Sequence, residues 1–582
     1  MQVLIAFHRA RGAVVSKDIL LQSIWDGRIV GDDAINRVVS RLRGVAEKEA
    51  GGQFRVETIT KVGYRLLSSA GQAVEASAGA SGVAGDATNA WMASFFARRR
   101  LMIASGGLVC LFAVIGIWLW LRPVTPPTHS MMVHLSRYRP LSKSVPATLP
   151  ESINAEIVAA FNADGVIEVA AASTPAFEKA RAYSLDGTIY RDGDSIRVIT
   201  RLTNERSGAV LWSDSVNYPA DQASKVPHKI AVDVGTVVRC GLSGAATYRK
   251  ALPDPALNNY MQYCKAYWSY GGSKTLHFAQ RVVAAVPDFS WGWSAVGNGF
   301  MQASNEERDG QRAEAMRAAG RQAEDKAIAL DRNNSEALAH KSYLIDPNDW
   351  IGRERLLKNA VMAKPLDCGC ERYGYGLWLE GVGRLGAAAG QFRAATDMLA
   401  LWPDSQLALA EALVATGQVE QARSHFGAAI DLSKDANFDK RIAVTEGTET
   451  GDYAAAVRAL RSPLFHISEE SRAALLAGYG ALISGGSRAK MEAVQELLAL
   501  PKDQQSETIA PMLAALGASH EALPIAASRP WLFWRRSMRG VLNDPGFPAV
   551  ATRLGLMAYW KTSRTKPDIC MAKEEPAFCR MI

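Results

Sequence analysis

The sequence predicts a multidomain chain: a small helical module closed by a β-hairpin, one membrane-spanning helix, an α/β module and a long α-helical region. Three observations carry that prediction. The chain has 582 residues, a length that suggests about three or four domains. Residues 101–121, LMIASGGLVCLFAVIGIWLWL, run 21 positions without a charge. Hydrophobic periodicity also changes along the chain, helical before residue 50, alternating between 184 and 218, and helical again beyond 254.

Composition excludes the extremes. Hydrophobic residues make up 48% and charged residues 21%, so the chain is neither disordered nor collagen-like. A net charge of +8 is too mild for a protein coated in nucleic acid, but the excess is uneven. Residues 1–100 hold 14 Lys and Arg against 9 Asp and Glu. The basic surplus sits at the front.

Residues 1–68 read as three helices and a hairpin. Ser16 can cap a helix to about Trp25, with Ile19, Leu20 and Ile24 as its apolar stripe. Asp32 or Asp33 caps the next, through about Glu49, with Ile35, Val38, Val39, Leu42 and Val45 on its core face. Its opposite face carries Asn36, Arg37, Ser40, Arg41, Arg43 and Lys48. Arginine pairs with guanine edges or phosphates and asparagine with adenine edges, so such a face has the chemistry of a major-groove reader. The hairpin strands fall at 54–59 and 64–67, turning at Lys61-Val62-Gly63.

The run VVSKDILLQSIWDGRIVGDDAINRVVSRLRG, followed by VETITKVGYRL, resembles the winged helix-turn-helix output domain of OmpR/PhoB-type response regulators and ToxR/CadC-type membrane regulators. The resemblance implies that Asn36, Arg37, Ser40, Arg41 and Arg43 lie on a DNA recognition helix, and that Lys61 and Arg65 lie in the wing. It implies that Trp25, Leu42 and Tyr64 are core. The family carries a small N-terminal sheet ahead of its first helix, whereas this chain opens inside that helix at Met1-Gln2-Val3-Leu4, so the expected winged helix has its N-terminal sheet missing. The Ala, Gly and Ser residues of 69–90 make a flexible linker within a cytoplasmic stretch of 69–100.

A helix over 101–121 rises about 31 Å, which matches a bilayer's hydrocarbon core. Arg98, Arg99 and Arg100 precede it and Trp118 and Trp120 end it, placing the N-terminus in the cytoplasm. The expected location is the bacterial inner membrane, single pass, with the C-terminus periplasmic. Cys240, Cys264, Cys368, Cys370, Cys570 and Cys579 all follow the span, and residues 1–100 contain no cysteine. An oxidising compartment suggests disulfides. Proximity favours Cys240 with Cys264 and Cys570 with Cys579; Cys368 and Cys370 would close a very tight ring. Zinc is disfavoured because no pair has CxxC spacing and no histidine lies near.

Residues 130–245 alternate strand and helix signals, with strands at 166–170, 184–191, 195–203 and 209–218. Asp192-Gly193-Asp194 and Glu205-Arg206-Ser207-Gly208 supply turns, which explain Asp186, Asp192 and Asp194 more simply than a calcium loop does. The stretch YSLDGTIYRDGDSIRVITRLTNERSGAVLWSDSV resembles the FlgO/TolB-N-like α/β module. Over 254–500, segments such as GRLGAAAGQFRAATDMLALWPDSQLALAEALVATGQVEQARSHFGAAIDL resemble degenerate tetratricopeptide (TPR-like) repeats, with Ala327, Ala395, Ala422 and Ala456 where paired helices touch. The resemblance implies an α-helical solenoid with a groove for a peptide or protein, and 501–582 form its helical C-terminal cap.

No catalytic constellation emerges. GVGRLG at 381–386 has no strand before it and reads as a turn between helices. The nine histidines are scattered. Trp268, Trp291, Trp293, Trp531 and Trp534 read as core and groove lining, with an aromatic recognition site as the rival. The expectation is therefore a membrane-anchored one-component transcriptional regulator, not an enzyme, with no cofactor and no metal. Its partners are double-stranded promoter DNA, the membrane and a periplasmic peptide, protein or small-molecule signal, acting through ligand-dependent dimerisation. The alternative is an envelope interaction scaffold with a relic winged helix.

Overall fold

The computed structural model describes residues 15–16, 39, 54–59, 63–68, 131–162, 167–171, 182–269, 271–363, 369–433, 435–504 and 507–582. The chain divides into two compact units, Met1–Pro123 and Val124–Ile582.

In the first unit, β1 (Val15–Ser16), β2 (Phe54–Ile59) and β3 (Gly63–Ser68) form an antiparallel sheet with β3 in the middle. Tyr64 lies opposite Thr58 on one side and Val15 on the other. Val56 and Tyr64 are buried while Glu57 and Arg65 are half-exposed, the alternation of a sheet with one covered face. Val39 is helical and 1% exposed. The remainder of the three expected helices, the linker and residues 101–121 lie outside the described residues.

The expected fold class is corrected here. Among the described residues no helix is long and apolar enough to cross a membrane. Two reach the necessary 21 residues, Val226–Ala246 and Gly310–Leu330, but the first carries Lys229, Asp233 and Arg239, and the second alternates Arg and Glu along its length. Charges at mid-helix make insertion unfavourable. The described residues are mostly helical, with a mixed sheet in the second unit beside the antiparallel sheet of the first, and no described helix supports the expected single-pass inner-membrane location with a periplasmic C-terminus.

The second unit begins with that sheet, in the order β6-β4-β7-β8-β9. Its strands are β4 (Met131–Leu135), β5 (Arg139–Pro140), β6 (Ile167–Ala171), β7 (Ala182–Asp192), β8 (Ser195–Asn204) and β9 (Val210–Pro219). β4 runs parallel to β6 and β7, β5 pairs with β7, and β7, β8 and β9 form an antiparallel meander. Along β8, Ile196, Val198, Thr200 and Leu202 are buried in strict alternation. The β7–β8 turn needs Gly193 at φ +60°. Gly187 leaves room for Tyr138, whose ring would lie 2.2 Å from an added Cβ and whose hydroxyl meets Thr200 Oγ1 at 2.9 Å.

Two helices, α1 (Leu149–Asn162) and α2 (Val226–Ala246), pack on each other and supply Ile153, Ile157, Ile230 and Val234 to the core beneath the sheet. That core continues into α3 (Asp254–Trp268), α4 (Gly272–Ala285), α5 (Ser290–Glu306) and α6 (Gly310–Leu330). A disulfide joins Cys240 on α2 to Cys264 on α3.

A second core starts at Leu338 on α7 (Ser335–Leu344) and reaches Cys579. Between them lie α8 (Trp350–Met362), α9 (Cys370–Gly381), α10 (Leu385–Met398), α11 (Pro403–Ala415), α12 (Val419–Leu432) and α13 (Ala436–Thr450). The chain goes on through α14 (Tyr453–Leu460), α15 (Glu469–Ser484), α16 (Ser487–Ala499), α17 (Ile509–Ala515) and α18 (Ser519–Ala526), and ends with α19 (Phe547–Arg553) and α20 (Leu556–Ser563). Consecutive helices pack on one another. Ala327, Ala395, Ala422 and Ala456 are fully buried, and a methyl side chain lets adjoining helix axes approach closely.

The TPR-like solenoid needs correcting for a physical reason. In a solenoid each repeat touches only its neighbours. Here the C-terminal segment returns to the middle of the helical region. Trp350 Nε1 donates to Leu554 O at 2.7 Å across 204 residues. Trp534 Nε1 donates to Gly381 O at 3.1 Å, and Trp560 Nε1 to Val382 O at 3.0 Å. Asp568 closes the clasp, its N–H bonding Gly383 O at 2.8 Å and its carboxylate accepting from Gly386 N at 2.7 Å. Gly383 has φ +79°, and a Cβ there would lie 2.6 Å from the Trp534 ring. GVGRLG is thus an interhelical turn that also receives the C-terminal segment, which a second disulfide, Cys570–Cys579, braces.

Replacing Trp560 with Phe leaves the buried Val382 carbonyl without its donor and a cavity where the rest of the indole stood. Urea unfolding is expected to show a loss of at least about 1–2 kcal/mol, the share of the hydrogen bond alone. Trp531→Ala, at the exposed start of the same segment, is expected to stay within about 0.5 kcal/mol of the parent. Equal effects would remove the clasp's role.

Candidate functional site

Of the residues that the resemblance assigns to DNA, Arg65 alone lies among the described residues with its side chain. Asn36, Arg37, Ser40, Arg41, Arg43 and Lys61 lie outside them. Arg65 stands on β3 directly opposite Glu57 on β2. Its Nε donates to Glu57 Oε2 at 2.7 Å, with the two side chains 39% and 40% exposed. Such an exposed pair contributes about 0–1 kcal/mol. It orients the guanidinium on the hairpin surface, where its terminal nitrogens can meet a phosphate. Behind it, Val56 and Tyr64 anchor the hairpin in the buried side of the sheet.

The second unit holds a cleft of about 670 Å³, the size of a small-molecule site. Val232 and Thr236 of α2 form its floor, with Trp268 and Ser269 at the end of α3 and Leu401 to Asp404 at the start of α11. Ser433, Asp435, Asn437, Phe438 and Arg441, around the start of α13, complete it. Trp268 and Trp402 meet edge to face with centroids 5.2 Å apart, and Tyr373 backs Trp402 at 4.3 Å. Both indoles are half-buried.

Polar groups at the cleft are partly engaged already. Asp435 Oδ1 caps α13 by accepting from Asn437 N at 2.9 Å. Asn437 Oδ1 accepts from His466 N at 2.7 Å. The Arg441 guanidinium lies 4.8 Å over the Phe438 ring and 3.4 Å from Glu507. Trp268 Nε1 is buried and has no acceptor. The aromatic cluster expectation therefore divides. Trp291 and Trp534 are core, Trp293 donates to Pro287 O, Trp531 is exposed, and Trp268 lines the cleft.

Two buried polar clusters lie elsewhere. Ser294 on α5, Glu324 on α6 and His340 on α7 bring a hydroxyl, a carboxyl and an imidazole together. Ser294 Oγ lies 3.2 Å and Glu324 Oε1 3.3 Å from the same atom, His340 Nδ1, while Asn298 occupies Nε2 at 2.9 Å. A nucleophilic triad needs serine and carboxylate on opposite ring nitrogens, and these residues are all buried. Burial holds His340 down to about 4 and pushes Glu324 well above the ordinary carboxyl range. The cluster is a neutral packing network.

The other cluster lies under the C-terminal segment. Arg535 Nη2 meets Glu411 Oε1 of α11 at 2.5 Å, both side chains being nearly inaccessible. Glu449 of α13 accepts from Ser537 Oγ at 2.6 Å and from Ser537 N at 3.1 Å. Arg539 donates to Ala415 O. Burial, reinforced by Glu411, pushes Glu380 up to about 8. Residues 535–539 thus pack against α11 and α13 through Glu411, Ala415 and Glu449.

Comparison with known proteins bears on the first unit. Residues 1–66 match the family model described as transcriptional regulatory protein, C terminal, the OmpR/PhoB-type DNA-binding domain. The match covers 66 of the 582 residues, and it marks that segment as a DNA-binding domain of a transcription regulator. It lends no support to the ToxR/CadC context, the FlgO/TolB-N-like module or tetratricopeptide repeats. No curated protein matches the chain.

The buried carboxyl gives a signed prediction. A glutamate whose value is raised on folding contributes stability below about 4.5 that is lost as pH rises toward its folded value. His340 works in the other direction, losing its contribution as pH falls from 6.5 toward 4. Glu324→Gln removes the first effect alone. Its stability relative to the parent should therefore improve between pH 5 and pH 7, by up to about 1.4 kcal/mol per unit. A constant difference in urea unfolding at the two pH values would contradict a buried, protonated Glu324.

Proposed function

We propose that the chain is a transcriptional regulator in which the first unit binds duplex DNA and the Val124–Ile582 unit receives a ligand or a protein partner. The observation that carries the reading is the family match at residues 1–66, with the antiparallel hairpin and its surface Arg65 as the structural counterpart. Asn36, Arg37, Ser40, Arg41 and Arg43 then act from a recognition helix in the major groove, and Lys61 and Arg65 from the wing. Arginines supply the phosphate neutralisation that dominates affinity, and asparagine supplies adenine selectivity.

The reading is of a binding protein and not of an enzyme. Ligand-dependent dimerisation is the simplest coupling, because two copies would place two recognition helices on half-sites about 34–36 Å apart. Avidity then raises affinity without any new base contact.

The full chain tests the reading by retention of duplex DNA in a gel at rising salt. The logarithm of the affinity should fall linearly with that of salt concentration, with a slope of about −0.9 per neutralised phosphate. Replacing Arg37, Arg41 and Arg43 together with Ala should abolish retention at low salt. Arg65→Ala alone should reduce the slope by about one. Full retention by the triple variant would show that these arginines do not face DNA.

A further inference from the structure

We propose that the cleft between α2, α3, α11 and α13 binds a neutral saccharide. This deepens the reading that the second unit receives a ligand and rests on it. Size admits a small sugar, since about 670 Å³ lies within the range of small-molecule sites. The chemistry of the walls selects the class.

Trp268 and Trp402 present two half-buried indoles at 75° to one another. The C–H face of a pyranose is flat, apolar and slightly positive, so it stacks on an indole face that is electron-rich. A sugar's rim carries hydroxyls that donate and accept, and the cleft offers both kinds of partner. Asp435 retains its Oδ2, because only Oδ1 caps α13, and Asn437 retains its amide N–H groups, because its oxygen receives His466 N. Thr236 and Ser269 donate their hydroxyl protons to Val232 O and Lys265 O, at 2.7 and 2.8 Å, and so offer a ligand acceptors only. The Trp268 N–H is buried behind the ring, so this residue meets a ligand through its ring and not through its nitrogen.

Charge separates a sugar from an ion. The Arg441 guanidinium is matched by Glu507 at 3.4 Å, so an anion finds its natural partner taken. That same guanidinium covers the Phe438 face, so an organic cation loses one wall of an aromatic cage. Asp435 sits at the N-cap of α13 and Asp404 in the first turn of α11, where each answers a helix dipole. What the cleft offers a ligand is aromatic surface, with the Asp435 Oδ2 as an acceptor and the Asn437 amide as a donor.

Calorimetry on the full chain is the test, with a panel of neutral hexoses and disaccharides, and with choline chloride and inorganic phosphate as charged probes. At least one saccharide should bind with a Kd under about 1 mM, and neither charged probe should compete. Trp402→Ala should weaken it more than tenfold. Trp268→Phe, which leaves a smaller stacking face, should weaken it several-fold. Trp531→Ala should have no effect. Absence of binding across the panel, binding of choline or phosphate in place of sugar, or affinity untouched by both cleft variants would overturn the proposal. A sugar that binds the cleft without altering retention on DNA keeps the site and removes the regulatory reading. A charged probe that binds there and alters retention does the reverse.

Discussion

The helical half of this protein is organised around one buried cation. Arg535 projects from the C-terminal segment against Glu411, and the charges of Glu449, Glu507 and Glu380 also bear on it. Carboxylates gathered on one inner surface repel one another and resist burial. The Arg535 guanidinium, delivered by the C-terminal segment, offsets part of that cost. The indole N–H bonds of Trp350, Trp534 and Trp560 then fix the segment in place by pairing carbonyls that would otherwise be buried alone.

The C-terminal segment covers part of α11 and α13, with Ser537 bonded to Glu449 and Arg539 to Ala415. The cleft lies elsewhere, lined by α2 and α3 from the sheet-bearing core and by the starts of α11 and α13 from the second core. The ligand proposed for it would touch elements of both cores at once.

Local patterns were legible and long-range ones were not. The alternation of Ile196, Val198, Thr200 and Leu202 predicts a half-buried strand, and β8 has that burial. Glycines at 193 and 208, both with positive φ, mark the turns between strands. The return of the C-terminal segment left no such trace. PWLFWRRSMRG reads as aromatic and basic residues, but its partners at Gly381 and Glu411 lie more than a hundred residues away. The cleft is equally hidden, because its indoles come from positions 268 and 402. The uncharged run at 101–121 dominated the reading of the whole chain, while the long helices among the described residues carry mid-helix charges and cross no membrane. For the nucleic-acid face, the order of residues spoke more clearly than periodicity, and Arg65 shows the cross-strand pairing that periodicity could not reveal.

The most direct test of the central constraint compares two variants in urea unfolding at neutral pH. Arg535→Met strands the buried carboxylates and should cost about 3–5 kcal/mol. Adding Glu411→Met to it removes the stranded partner and should restore most of that loss. If Arg535→Met unfolds like the parent, the C-terminal segment is not held by this charge and the closed arrangement has another cause.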